Sequence, residues 1–176
     1  MNLTLRQEKA SDISTVQSVI QSAFDNQAFS DQSEHHLVNA IRKSSQFIPE
    51  LSLVAVYKTK VIGHVLMTPI RINNNGGNHR GLALAPISVH PNYQGEGVGS
   101  QLMHFAHKMA LENGYEFIAI LGHEAYYPRF GYTPAHTFGI QFPFGAPKEN
   151  CMMIELIPGA LEDVNGMIEY LPEFMS

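Results

Sequence analysis

Three glycines alternate within five residues, Gly95-Glu96-Gly97-Val98-Gly99, between an apolar run that ends at Val89 and a helical pattern that begins at Val98. Such a segment has to turn a strand into a helix within a few residues, and glycine supplies the backbone freedom the turn needs. It also leaves the first N–H groups of the helix open, at the positive end of the helix dipole, which suits an anion. A tight turn can use glycine without any ligand, so the glycines alone leave both readings open. The flanks complete the unit. Leu82 to Val89 is an apolar run broken by His90-Pro91. The helix carries Val98, Leu102, Phe105, Ala106 and Met109 at helical spacing and stops at Asn113-Gly114, after which Phe117 to Leu121 reads as a buried strand. Strand, turn, helix and strand make a βαβ unit.

Upstream, Leu3 to Arg6 reads as a strand, and Ser11-Asp12 starts an amphipathic helix with Ile13, Val16, Val19, Ile20, Ala23 and Phe24 on its apolar face. A second helix is predicted over Asp31 to about Lys43, with Leu37, Val38, Ala40 and Ile41 inward. The polar segment between them, Asp25 to Ser30, is placed to border a substrate site. Leu51 to Tyr57 and Val61 to Ile72 are β-rich runs at hairpin spacing around Lys58-Thr59-Lys60, hence antiparallel, and Asn73 to Gly81 reads as a loop. Downstream, His123 to Phe130 is a short helix candidate and Met152 to Leu156 a last strand. From Ile157 to Ser176, helical apolar spacing is interrupted by Pro158, Gly159, Gly166 and Pro172, which leaves its helicity open.

With 176 residues, 44% of them hydrophobic and 15% charged, the chain reads as one α/β domain spanning residues 1–176. Eleven Lys and Arg against 16 Asp and Glu give a net charge of −5, which argues against a nucleic-acid partner. The lone Cys151, beside Met152 and Met153, reads as a buried structural thiol, and an unpaired cysteine points to the cytoplasm. Neither a secretory leader nor a membrane span is expected, because the apolar runs are strand-sized.

Spacing narrows the anion. A nucleoside triphosphate loop would end in Gly-Lys-Ser/Thr, which is absent, and a dinucleotide fingerprint from Gly95 would need a third glycine where Ser100 stands. What fits is Gln94-x-x-Gly97-x-Gly99, which resembles the Gln/Arg-x-x-Gly-x-Gly/Ala pyrophosphate loop of the GNAT superfamily of N-acetyltransferases. Tyr127-x-x-x-Gly131-Tyr132 resembles that family's Tyr-x-x-x-Gly-Phe signature, and the order of elements along most of the chain is similar too.

The resemblance implies a mixed, mostly antiparallel sheet flanked by helices. Its fourth and fifth strands, here Leu82 to Val89 and Phe117 to Leu121, splay to admit the acetyl-pantetheine arm of acetyl-CoA. By the same resemblance, the backbone of Ile87, Ser88 and Val89 holds the pantetheine and thioester. Gln94, Gly95, Glu96, Gly97, Val98, Gly99 and Ser100 form the diphosphate loop, and Tyr127 is the acid that protonates the leaving thiolate. A packing role for Tyr127 among Tyr126, Phe130 and Tyr132 is the alternative reading. The amine acceptor is expected between the Asp25 to Gln32 segment and the Thr133 to Pro147 loop, where Phe138, Phe142 and Phe144 form an apolar wall.

No motif marks a general base. His64, His90, His123 and Glu124 are candidates, with His64 better read as a sheet histidine beside Ile62, Leu66 and Ile70. Ile120 stands where many family members carry a coenzyme-contacting Asn. His104 and His107 read as solvated helix residues with no third ligand, so no metal is expected, and Arg129 and Lys108 are candidates for the 3′-phosphate. The competing function is a non-catalytic acyl-CoA-binding or interaction module on the same fold.

Overall fold

Leu3–Gln7 forms β1 and pairs antiparallel with β2 (Ser52–Tyr57), Leu3 opposite Tyr57 and Gln7 opposite Leu53. The computed structural model describes residues 1–176 and divides them into two units, Met1–Met67 with Pro86–Met109 and Thr68–Ala85 with Ala110–Ser176. The fold is mixed α/β, with a mostly antiparallel sheet, a parallel β4–β5 pair at its βαβ crossover and flanking helices.

In the first unit, β2 turns through Lys58-Thr59 into β3 (Lys60–Asn74), with Ser52 opposite Leu66 and a bulge at Ala55/Val56. Helices α1 (Ile13–Phe24) and α2 (Glu34–Arg42) bury Val16, Val19 and Ile20, and Val38 and Ile41. Ile13 and Ala40, expected inward, are exposed, and His35 takes an inward place instead. The third helix, α3 (Val98–Glu112), packs its Leu102 and Val98 over Gly63, where a Cβ would lie 2.9 Å from Leu102 Cδ1. Asp12 does not cap α1. Its carboxylate pairs with Arg6 at 2.6 Å and accepts the Lys9 N–H, tying the end of β1 to the helix start.

On the other face of the sheet a buried polar chain links α2 to β1, β2 and β3. Arg42 pairs with Glu8, and Ser52 Oγ donates to Glu8 Oε2 at 2.8 Å. His64 Nε2 lies 3.0 Å from the same Ser52 oxygen. Because the Ser52 proton goes to Glu8, His64 donates through Nε2–H. Complete burial, with the Arg42 charge adding to it, pushes the His64 imidazole down to about 3. Such a group is neutral and weakly basic, which removes His64 from the general-base candidates and makes it a sheet histidine.

That burial has a pH signature. Below about 6.5 the unfolded chain protonates this imidazole and the folded one does not, so the unfolded state is favoured as pH falls. At pH 5 the loss reaches about 2 kcal/mol, taking roughly 1.4 kcal/mol per pH unit. His64→Leu should therefore flatten the fall in urea midpoint between pH 7 and pH 5. A residual slope is expected from His107, which burial holds at about 4. A slope as steep as that of the parent would assign the titration to other groups. His107 thus differs from the solvated residue expected from the sequence.

In the second unit, β3 ends at Asn74 and β4 (Gly77–Val89) begins three residues later, so Asn73 to Gly81 is mostly strand and not a loop. The Asn75-Gly76 turn is closed by Asn74 Oδ1, which accepts the Gly76 N–H at 2.7 Å. β4 and β5 (Phe117–Leu121) pair in parallel at Leu82↔Ile118 and Ala83↔Ala119, and the ladder does not continue to Leu84 and Ile120. β5 is instead paired along its whole length with β8 (Cys151–Glu155), antiparallel. Phe117 lies under Gly81, where a Cβ would approach its ring to 2.1 Å.

β6 (Thr133–Pro134) adds to β8, and β7 (Ile140–Gln141) pairs in parallel with β9 (Gly166–Glu169). β9 also docks on β3 at Arg71↔Glu169 and Ile72↔Ile168. The C-terminal stretch is thus turns, a strand and a closing 3-10 turn over Pro172–Met175, with no α-helix. Val164, Leu161 and Ile168 of that stretch share a core with Phe142, Ile140 and Met153, and Phe138 and Phe144 pack against it. The aromatic residues expected to wall an acceptor site are therefore largely core residues.

Candidate active site

In the first unit, β4 ends at Val89, and Pro91–Tyr93 form a 3-10 turn that His90 Nδ1 caps by accepting the Asn92 N–H at 3.2 Å. Gln94 then folds back, its Nε2 donating to the Val89 carbonyl at 3.0 Å. This bond fixes where the glycine turn begins relative to the strand end. Gly95 and Gly97 follow with φ of 78° and 81°, the left-handed region that L side chains rarely adopt. A Cβ at either position would have no protein atom within 4 Å. The glycines are therefore not there to make room for the protein's own packing.

The first helical bond of α3 is Gln101 N–H to Gly97 O, 3.1 Å. The N–H groups of Val98, Gly99 and Ser100 precede it and have no acceptor in the helix. No acidic residue stands in the first turn of α3 to neutralise the dipole. Open space over two left-handed glycines, with free amides at a helix start, fits a diphosphate. Gly99 differs from its neighbours, because it lies within α3.

Ile87, Ser88 and Val89 occupy the last three places of β4. Ser88 is buried, with its hydroxyl unpartnered, while Ile87 and Val89 are half-buried.

In the second unit, β5 leads into Gly122, which is clamped by Asn150: Gly122 N–H donates to the Asn150 carbonyl at 2.9 Å and Asn150 Nδ2 donates to Gly122 O at 3.0 Å. Tyr127 lies against this glycine, so that a Cβ there would come within 2.3 Å of its ring. The short helix expected over His123 to Phe130 is a turn followed by a 3-10 helix, Tyr127–Phe130. Gly131, with φ 101°, ends it in the left-handed region and sends Tyr132 into the core. That is the geometric content of the Tyr-x-x-x-Gly-Tyr spacing.

Tyr126 meets Tyr127 edge-on, with ring centres 5.0 Å apart, and Tyr132 lies 6.1 Å from Tyr127. Burial, then the neighbouring Tyr126, pushes the Tyr127 phenol up to about 12, so it holds its proton throughout the physiological range. Arg129 stacks over Tyr126 at 4.4 Å and donates to the Tyr126 carbonyl at 2.9 Å. Gly122 and Asn150 were missed by sequence reasoning. A glycine directly after a buried strand was the available signal for the first, and Asn150 had none.

The mixed sheet with its β4–β5 crossover, joined to a Gln94-x-x-Gly97-x-Gly99 turn at a helix start, defines the N-acetyltransferase class of α/β protein. The acetyltransferase (GNAT) domain family matches residues 4–135, and the chain belongs to that family. The uncharacterized N-acetyltransferase YjhQ of Escherichia coli K12 is 33% identical over 144 residues, spanning 80% of each chain. The crystal structure of Escherichia coli YhbS in complex with CoA matches with a TM-score of 0.89 and 25% identity, over 100% of this chain and 93% of that one. A GNAT family acetyltransferase from Brucella melitensis, in complex with acetyl-CoA, gives 0.80 at 28% identity over 98% of both chains. No helix here is long and apolar enough to cross a membrane.

Proposed function

We propose that residues 1–176 act as one cytoplasmic N-acetyltransferase domain that moves the acetyl group of acetyl-CoA to a primary amine of a small molecule, peptide or protein by direct attack. The observation that carries this reading is the turn at Gly95 and Gly97, whose left-handed backbone leaves open space beside the N–H groups that start α3. Amides from Gly95 to Ser100 would hold the diphosphate, with the Gln94–Val89 bond setting the turn. The backbone of Ile87, Ser88 and Val89 would hold the pantetheine and polarise the thioester carbonyl. CoA and acetyl-CoA in the two related crystal structures support the choice of donor.

The neutral amine forms a bond to the thioester carbon, and the carbon–sulfur bond then breaks. The departing thiolate takes the Tyr127 hydroxyl proton, and the proton lost by the amine returns that tyrosine to its starting state. No metal enters the scheme.

Coenzyme release from acetyl-CoA, followed across a panel of small amines and peptides with mass detection of the acetylated product, tests the reading. Turnover with any amine is the expected result. Acetyl-CoA binding without turnover anywhere would leave a binding module.

A further inference from the structure

The buried polar chain of the first unit ends in an open acceptor. Running from Arg42 and Glu8 through Ser52, it reaches His64, whose Nε2–H goes to Ser52 Oγ. In a neutral imidazole of that tautomer, Nδ1 keeps its lone pair and can only accept. His64 is fully buried and its Nδ1 has no partner. The neighbouring strand carries the complementary defect: Ser88 is 2% exposed and its hydroxyl has no partner either. A buried acceptor and a buried donor left apart cost more than the same two groups joined.

Backbone register brings the two residues together. β4 lies beside β3 and follows it through the tight Asn75-Gly76 turn, so the two strands run antiparallel. The His90 N–H donates to the Ile62 carbonyl at 2.8 Å. In an antiparallel pair this bond sets Ile62 opposite His90 and, two residues along each strand, His64 opposite Ser88. The Ser88 carbonyl agrees with that register, lying 3.3 Å from where a Cβ on Gly63 would stand. Opposite side chains share a face of the sheet, with Cβ atoms about 4.5–5.5 Å apart, a gap that a hydroxyl and an imidazole nitrogen span directly or through one water. On its other flank His64 stands opposite Val54, whose side chain offers no donor.

We propose that Ser88 is the donor His64 Nδ1 lacks, so that the chain Arg42–Glu8–Ser52–His64–Ser88 ties α2 and the end of β1 to the end of β4 and positions the backbone of Ile87, Ser88 and Val89 for acetyl-CoA. This rests on the N-acetyltransferase reading above, which gives that backbone the pantetheine and thioester. The tie matters there because β4 pairs with β5 only as far as Ala83, which leaves β3 as the ladder partner of its last residues. The Ser88 and His64 side chains act through the strand, as positioning residues. With the tie cut, the strand end spends time out of place, and the apparent affinity falls with the fraction of molecules in which it is in place.

Nitrogen spectra of the imidazoles, with His64 assigned by its loss in His64→Leu, test the bond itself. In the parent the His64 Nδ1 resonance is expected at a hydrogen-bonded position, and Ser88→Ala should move it to that of a free lone pair while Nε2 stays in place. Calorimetry with acetyl-CoA tests the role. Ser88→Ala should weaken binding about three- to tenfold, the scale of one hydrogen bond, and should change nothing further in a His64→Leu background, where the tie is already cut. Ser88→Thr, which keeps the hydroxyl, should restore most of the affinity. A lowered urea midpoint with unchanged acetyl-CoA affinity in Ser88→Ala would make Ser88 a structural residue only and overturn the inference. Equal losses in both backgrounds, or a free Nδ1 in the parent, would overturn it as well. Should Ser88→Ala fail to fold, Ser88→Cys, whose thiol is a weak donor, takes its place in both measurements. If the parent binds no acetyl-CoA, the N-acetyltransferase reading fails and the positioning role with it, while the nitrogen spectra still decide the Ser88–His64 bond.

Discussion

Gly97→Val is expected to weaken acetyl-CoA binding by about 10² to 10⁴-fold, the equivalent of losing two hydrogen bonds to a charged group at roughly 1.5–3 kcal/mol each. Two effects act together. Gly97 sits at φ 81°, where a β-branched residue is strained, so the turn has to relax away from the geometry that aims its amides. The valine side chain would also project into space that holds no protein atom within 4 Å, the space assigned to the diphosphate. Because nothing of the protein occupies that space, the variant should fold, with its loss confined to binding. Gly99→Val is the informative contrast. The sequence suggested that both glycines need special backbone angles, but Gly99 lies in α3, so only obstruction of the ligand applies and the loss should be smaller. Calorimetry with acetyl-CoA reads both. Unchanged affinity in folded Gly97→Val would remove the central support for the proposed function.

The parts of the molecule legible in the sequence are those whose causes are local. The βαβ crossover could be read because its turn, its helix cap at Asn113-Gly114 and its apolar spacing all lie within one short stretch, and the structure has β4, α3 and β5 there. The second helix, expected from Asp31, starts at Glu34, because the Asp31 carboxylate accepts from the Ser33 N–H at 3.0 Å and closes a turn of its own. Asn73 to Gly81 looked like a loop because a solvated hairpin tip is as polar as one. The Asn75-Gly76 pair was the turn signal within it, and the strand there is completed by Asn74 Nδ2 bonds to the Asp163 and Asn165 carbonyls. β9 could not be seen at all. Gly166–Glu169 is a strand only because Ile72 and Ile140 lie alongside, and nothing in its own four residues says so. The same limit applies to His64. Its apolar strand marked it as buried, but its partners Ser52, Glu8 and Arg42 are scattered along the chain. At the candidate site, the glycines and Tyr127 could be picked out by spacing. Asn150, bonded to Gly122 from far along the chain, depends on three-dimensional proximity alone.

Tyr127→Phe is expected to lower kcat by roughly 10²-fold, the low end for general acid catalysis because a thiolate is already a good leaving group. It removes one oxygen and leaves the ring seated against Gly122, so acetyl-CoA affinity should change little. Burial makes a second prediction about the same group. With its phenol pushed up to about 12, Tyr127 stays protonated through any practicable assay, and the kcat profile of the parent enzyme should show no alkaline limb near pH 10 from this residue. Tyr126 is the internal control. Its ring stands at 86° to that of Tyr127 and is covered by Arg129, whereas the Tyr127 ring is the one seated against Gly122. Tyr126→Phe should therefore retain most of the parental kcat under saturating acetyl-CoA. If Tyr126→Phe were the more damaged variant, the motif would be read one residue out of register, and the roles of the two tyrosines would exchange. If both variants turned over at the parental rate, the thiolate would have to take its proton from water, leaving Tyr127 as the residue that packs the turn between Gly122 and Tyr132.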